Sequence, residues 1–515
     1  MKPKIVVLAF ALTNAILYCC VLPLWEGFDE PFHYAYIETL SLRHRFPVLN
    51  QTPISSEIGR SLTLVPLSWL FSAAIPGSIS FEDWSRLNSD ERSRKQDELR
   101  RLSGELRRSD STLLNYEAQQ APLAYLLLAP VDAFRAQLTL AGEMLLLRLF
   151  GAIAATLLIY FAVNVLLSRL GVSDGFALAV LICVFESQML WASVAHVGND
   201  WLAIALTVCF LAALAVTAQE RRSTRALLLS AIFAAGLLTK AYFLAFTPVW
   251  AAMLVYLGAR RLVPMKTTIA ALAIPVLIAM PWYVHNLFLY DSFSATQQSV
   301  AGVGLRQAVS ALTRINWLAS AAEFARWSLW TGNWSFTAFS RNTLNFELLL
   351  LLAAFATYVA QFRGMRQAEL WVLAACGCFL LGLIYQTCVT WVHTHGVSTH
   401  PEPWYGQGVI ACLWVLCAMG LETANVAGRI VAIALCLVSA WIAELTYVAK
   451  LLPYYGGMHA RSTWHTVWNW WQANPEHALQ AIVLAPVPMV YALLGAFSIM
   501  LAAVTALAVY RLRRS

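Results

Sequence analysis

The chain has 515 residues, of which 59% are hydrophobic and 12% charged, with 20 tryptophans. No soluble domain of this length carries that composition, so the fold class is an all-α polytopic membrane protein surrounded by membrane lipids. Its formal net charge of +7 follows from basic residues at span ends and gives no ground for a nucleic-acid partner.

Residues 1–24 form the first span. Lys2 and Lys4 precede an apolar run that imitates a secretory signal, but the run is long and lacks a small-residue cleavage site, so it reads as retained. Next comes Trp25-Glu-Gly-Phe-Asp-Glu-Pro-Phe-His-Tyr-Ala-Tyr36. Proline after two acids marks a helix start, where the helix dipole favours Asp29 and Glu30 as anions. His33, four residues after Asp29, can share its face. One reading is a capped amphipathic helix lying on the membrane; the other is a reactive acidic motif.

Residues 25–142 form a long first loop with helices of its own. Within it, 81–110 carries eight basic and eight acidic residues and a narrow stripe of Leu99, Leu102 and Leu106, as expected of a solvated helix with no chemistry. Residues 120–134 are apolar but too short for an ordinary crossing, and reading them as a span would turn every later basic loop outward. They are expected to form a juxtamembrane helix.

Further spans are expected near 143–168, 175–194, 200–218, 226–239, 241–258 and 267–288. After an outer loop at 289–344, a C-terminal bundle over 345–515 has spans near 345–361, 368–389, 404–421, 428–449 and 485–510, with outer loops at 390–405 and 450–484. With the first, these make about twelve transmembrane helices. Alternate connections are basic: Arg169; Arg221, Arg222 and Arg225; Arg260, Arg261 and Lys266; Arg363 and Arg366; Arg429; and Arg511, Arg513 and Arg514. The positive-inside rule makes that side cytoplasmic. The run from Ala226 to Tyr256 has basic flanks at both ends. At roughly 46 Å as one helix it is too long for one crossing, so the chain is expected to turn back at Lys240.

Ionisable and aromatic residues collect on the opposite side. Asp200 follows His196-Val-Gly-Asn199 at a helix start, where an acid is favourable in any case. With Asp29 it could hold a divalent cation, Mg²⁺ or Mn²⁺, or divide base and orienting roles. Lys240, an ionisable group between apolar runs, either snorkels to the interface or binds an anion. His285 and Asn286 end a span within an aromatic belt. His393, His395 and His400 lack the tight spacing of a zinc site. Glu186 lies within a span and is expected to face the bundle interior. Asn50-Gln-Thr52 and Asn333-Trp-Ser335 match the glycosylation sequon. No nucleotide-binding glycine motif is present.

These residues resemble, in order and spacing, the GT-C integral-membrane glycosyltransferases, above all the bacterial branch of aminoarabinose transferases and protein O-mannosyltransferase relatives. The resemblance lies in Phe28-Asp29-Glu30-Pro-Phe-His33, Gln120-Ala-Pro-Leu-Ala-Tyr125, Leu146-Leu-Arg148-Leu-Phe150, Asn199-Asp200, Leu238-Thr-Lys240, and Pro281 to Asn286 before Tyr290-Asp291. It covers most of the chain.

The resemblance implies a GT-C fold and transfer of a sugar from a polyprenyl-phosphate donor to a glycan, lipid or protein acceptor, with inversion. It places the enzyme in a bacterial inner membrane with the site facing the periplasm. It implies that Asp29 is the catalytic carboxylate, that Asp200 assists and that Lys240 contacts the donor phosphate; Glu30 is the next candidate catalytic carboxylate after Asp29. His285 stands where relatives carry Arg and is the second candidate phosphate contact, although a neutral imidazole cannot copy a guanidinium fork. His33, Asn199 and Tyr405 are the candidate substrate contacts; Pro401-Glu-Pro-Trp-Tyr405 stands where relatives carry Arg-Tyr. Two other classes compete. An O-antigen polymerase or ligase would carry arginine pairs in a large late outer loop. A secondary transporter would carry midplane charges and inverted repeats.

Overall fold

The structure is a computed structural model and describes residues 3–102, 104–132, 134, 138–337, 339–361, 365–459, 463–473, 475–480 and 482–514. Lys2 and Arg363 of the expected basic loops lie outside them.

Among the described residues, ten helices are long and apolar enough to cross a membrane, and an eleventh crossing is a pair bent by 54°, Asp174–Glu186 and Gln188–Val194. The twelfth expected span is Ser223–Leu237, only 15 residues long. Its shortness has the cause expected from the sequence. The chain reverses at Lys240 and returns through a tight helical turn, Ala241–Phe246, into Thr247–Ala259. Ser230 and Trp250, each ten residues from Lys240, are joined by a 3.0 Å hydrogen bond, and Phe233 stacks on Trp250. Gly236 permits the turn: a Cβ there would stand 2.1 Å from the Phe243 ring.

The basic connections gather at one end of the bundle. Arg169 and Arg225 both bond Glu220, at 2.6 and 2.7 Å. Arg221 bonds Gln367, and Arg366 donates to the Leu170 carbonyl. The first loop, the Asn199-Asp200 turn and Lys240 meet at the other end.

The first loop closes on itself at that second end. Helix Leu123–Asp132 is short, as its position requires, and packs on helix Glu30–Arg43. A buried Arg107 draws the carboxylates of Glu38 and Asp132 together beneath both helices. The charged segment 81–110 is not one solvated helix: it forms helix Phe81–Arg86, with Phe81 and Trp84 buried, and helix Ser89–Arg100, with no buried residue, while Leu102 and Leu106 lie beyond the helix and Arg107 is buried. Two small sheets were not expected. Pro53–Ser55 pairs antiparallel with Asp110–Leu114, and Pro66–Leu67 pairs parallel with Ile79–Ser80.

Glu186 sits at the break in the bent pair, buried, accepting from the Thr505 hydroxyl at 3.2 Å. The sequon residue Asn333 is fully buried and donates to the Tyr18 hydroxyl at 2.9 Å, which closes it to glycosylation in the folded chain.

Candidate functional site

The site begins with the turn after the first helix. Trp25 and Asp29 both have positive φ, 66° and 55°, a conformation that costs energy in residues with a Cβ and needs support from the surroundings. Arg148 supplies it. This fully buried guanidinium donates to the carbonyls of Leu22 and Pro23 and to both carboxylate oxygens of Glu30. The Trp25 indole donates to Ser61 at 2.9 Å. Gly27 lets the turn approach the Asn199 turn, since a Cβ there would lie 2.3 Å from that of His196.

Helix Glu30–Arg43 therefore starts where the proline predicted, but it is not an amphipathic helix on a membrane surface. Every residue from Glu30 to Thr39 is buried. Asp29 does not cap it either. The left-handed backbone turns its carboxylate to the Tyr116 hydroxyl, which donates to it.

At Asp29 burial works against the helix dipole. Burial pushes its carboxyl up to about 6; the Tyr116 hydrogen bond and the Lys240 ammonium oppose this, and Asp200 adds to it. Desolvation is the largest influence on the carboxyl at this position.

Asp29 lines a cavity of about 760 Å³, which His33, Asn199, Asp200, Lys240 and Tyr405 also line. Six of the eight residues singled out from sequence thus share one chamber. Lys240 Nζ lies 2.5 Å from Asp200 Oδ1 and 5.0 Å from the centre of the Tyr405 ring, a cation–π contact that leaves ammonium protons for a further acceptor. His33 meets the Tyr125 hydroxyl at 2.8 Å rather than the Asp29 side chain. Burial pushes its pKa down, so it is neutral at the cavity wall.

The other two are not brought to the cavity. Glu30 is fully buried, with both oxygens on Arg148 and one also accepting from the Val197 amide at 2.9 Å. It holds the turn together and is not available to a substrate. His285 is exposed on the outer face of its helix, against Trp282. Trp282 and Tyr283, its neighbours, face the cavity instead.

Sequence reasoning missed Tyr116, Glu117 and Glu402, which also line the chamber. Glu117 accepts from Gln120 at 2.6 Å and from Gln297 at 3.1 Å. Burial pushes it well above the usual carboxylate range, with Asp29 adding to the effect. Burial likewise brings Glu402 up to about 7. The available signal was position: Tyr116 and Glu117 stand immediately before the Gln120–Tyr125 segment, and Glu402 lies three residues before Tyr405.

Among the described residues no group of three or more His, Cys, Asp or Glu side chains is arranged to hold a metal. Asp200 already neutralises an ammonium, which occupies the role a metal between it and Asp29 would have.

No curated protein matches the chain. Among solved structures it is similar to the crystal structure of ArnT from Cupriavidus metallidurans bound to undecaprenyl phosphate, at 12% identity and a TM-score of 0.49, over 98% of this chain and 74% of that one. The family described as predicted membrane protein (DUF2142) matches residues 12–316, more than half of the sequence. With its multi-pass helical architecture, this chain belongs to the DUF2142 family of membrane proteins.

Proposed function

We propose that the chain is a GT-C-type membrane glycosyltransferase that moves a sugar from a polyprenyl-phosphate carrier to an acceptor hydroxyl, with inversion, at the periplasmic face of a bacterial inner membrane. The observation that carries this reading is the meeting of Asp29 and Lys240 in one aromatic-walled cavity, at the end of the bundle away from the basic connections. The order of the sequence motifs supports it independently.

In this reading the carrier phosphate lies against Lys240 and the acceptor hydroxyl against Asp29. The acceptor oxygen forms a bond to the anomeric carbon from the side opposite the phosphate. Its proton passes to Asp29, the bond from the anomeric carbon to the phosphate oxygen breaks, and the electron pair leaves with the polyprenyl phosphate. A carboxyl brought up to about 6 is ionised at neutral pH yet basic enough to take a proton in the transition state. Lys240 stabilises the charge that grows on the phosphate, while Asp200 and the Tyr405 ring fix the ammonium. Tyr116 orients the Asp29 carboxylate.

Retention of undecaprenyl phosphate by the purified protein in lipid nanodiscs tests the reading. The wild type is expected to bind it saturably and Lys240→Met to bind at least tenfold more weakly. Equal binding by the two proteins would remove Lys240 from the donor site.

A further inference from the structure

Resting on that reading, we infer that the acceptor subsite takes a neutral, hydroxyl-rich glycan rather than a phosphorylated lipid or a cationic sugar. Besides aromatic and apolar side chains, the cavity wall carries the amides of Gln119, Gln120, Asn199, Gln297, Gln298 and Gln386. They come from four separated parts of the chain, which hydrogen bonds link together. Gln297 donates to Glu117, Gln386 donates to Gln298 at 3.4 Å, and Asn199 donates to Gln120 at 3.0 Å.

The unpaired polar atoms of these lining side chains are neutral. The carbonyl oxygens of Gln119 and Asn199 and the indole N–H of Trp334 are buried without a hydrogen-bond partner, and all three side chains line the cavity. Those three atoms are enclosed by the protein, so the side chains meet the chamber through their other atoms. The lining amides, with the aromatic rings of Trp334 and Tyr385, give a neutral wall of donors and acceptors that matches sugar hydroxyls, which both give and accept.

Charge excludes the alternatives. Lys240 is the one basic side chain among the described lining residues, and Asp200 already engages it. A phosphorylated acceptor would meet the Asp29 carboxylate with no second cation to offset it. A cationic sugar would find Asp200 matched to Lys240 and Asp29 bonded by Tyr116, while burial pushes Glu117 and Glu402 up and so reduces their charge.

The test uses full-length protein in nanodiscs preloaded with undecaprenyl phosphate. Tryptophan fluorescence is titrated with maltoheptaose, a chitosan heptamer and oligogalacturonate as neutral, cationic and anionic probes. The neutral probe is expected to bind saturably and at least tenfold more tightly than either charged one. Gln119→Met and Gln386→Met, which keep side-chain length and remove the amide, should each weaken it about tenfold. Both should retain undecaprenyl phosphate as the wild type does, which separates a lost subsite from a misfolded protein. No neutral binding, tighter binding of a charged probe, or unchanged affinity in both variants would overturn the inference. If wild-type carrier retention is intact in those cases, the proposed donor chemistry stands and only the acceptor class falls.

Discussion

Replacing Glu30 with glutamine separates a structural acid from a catalytic one. Glu30 and Arg148 are both fully buried, and the guanidinium also donates to the Leu22 and Pro23 carbonyls at 2.5 and 2.8 Å. Glu30→Gln keeps the shape but leaves the Arg148 charge uncompensated and sets an amide N–H against a guanidinium N–H. Removing one partner of a buried pair costs about 3–5 kcal/mol. If that loss falls on the unfolding barrier, unfolding accelerates by roughly 10²–10⁴-fold. The assay is the decay of native tryptophan fluorescence in detergent at fixed temperature. Glu30→Met/Arg148→Met should recover part of the loss, because two apolar side chains leave no buried charge, although the two carbonyls lose their donor. An unfolding rate for Glu30→Gln equal to wild type, accompanied by loss of sugar transfer, would refute the assignment and return Glu30 to the catalytic set.

Tyr116→Phe removes a hydrogen bond that holds the Asp29 carboxyl down, so its pKa rises further. At about 1.5–3 kcal/mol for a bond to a charged group, the acidic limb of the pH–rate profile should move from near 6 upward by roughly one to two pH units; a limb that stays in place or moves toward acid would contradict the contact. Cysteine introduced at His395 should react with an impermeant thiol reagent added to the periplasmic side, and cysteine at Arg222 should not; the reverse pattern would invert the proposed orientation. Chelation with EDTA should leave transfer unchanged, because Asp200 is matched to Lys240; activity lost and then restored by Mn²⁺ or Mg²⁺ would return a metal to the two acids.

Much of the membrane architecture was legible because bilayer thickness and the sidedness of basic residues act on composition alone. The Lys240 reversal is the clearest instance: a run too long for one crossing, with both ends basic, has to turn. Asp29 was legible through Pro31. Its neighbour Glu30 was not separable from it, because successive residues in a helix point about 100° apart and the pattern does not say which direction is the cavity. The left-handed backbone at Asp29 widens that divergence, and nothing local to a non-glycine residue announces it. The same limit applies at His285, one helical step from buried Asn286 and two from cavity-facing Tyr283. Glu117 lies in a segment without periodicity, and its partner Gln297 is distant in sequence. The pairing of Pro53–Ser55 with Asp110–Leu114 is similarly nonlocal, so no window along the chain contains it.

The most direct measurement of the central claim is single-turnover transfer of a radiolabelled sugar from a polyprenyl-phosphate donor by purified wild type and Asp29→Asn. The amide keeps the shape and can still accept from Tyr116, but it cannot take the acceptor proton. Loss of a general base reduces the rate by about 10²–10⁴-fold, while carrier retention through Lys240 remains at the wild-type level. Transfer by Asp29→Asn at the wild-type rate would contradict the account.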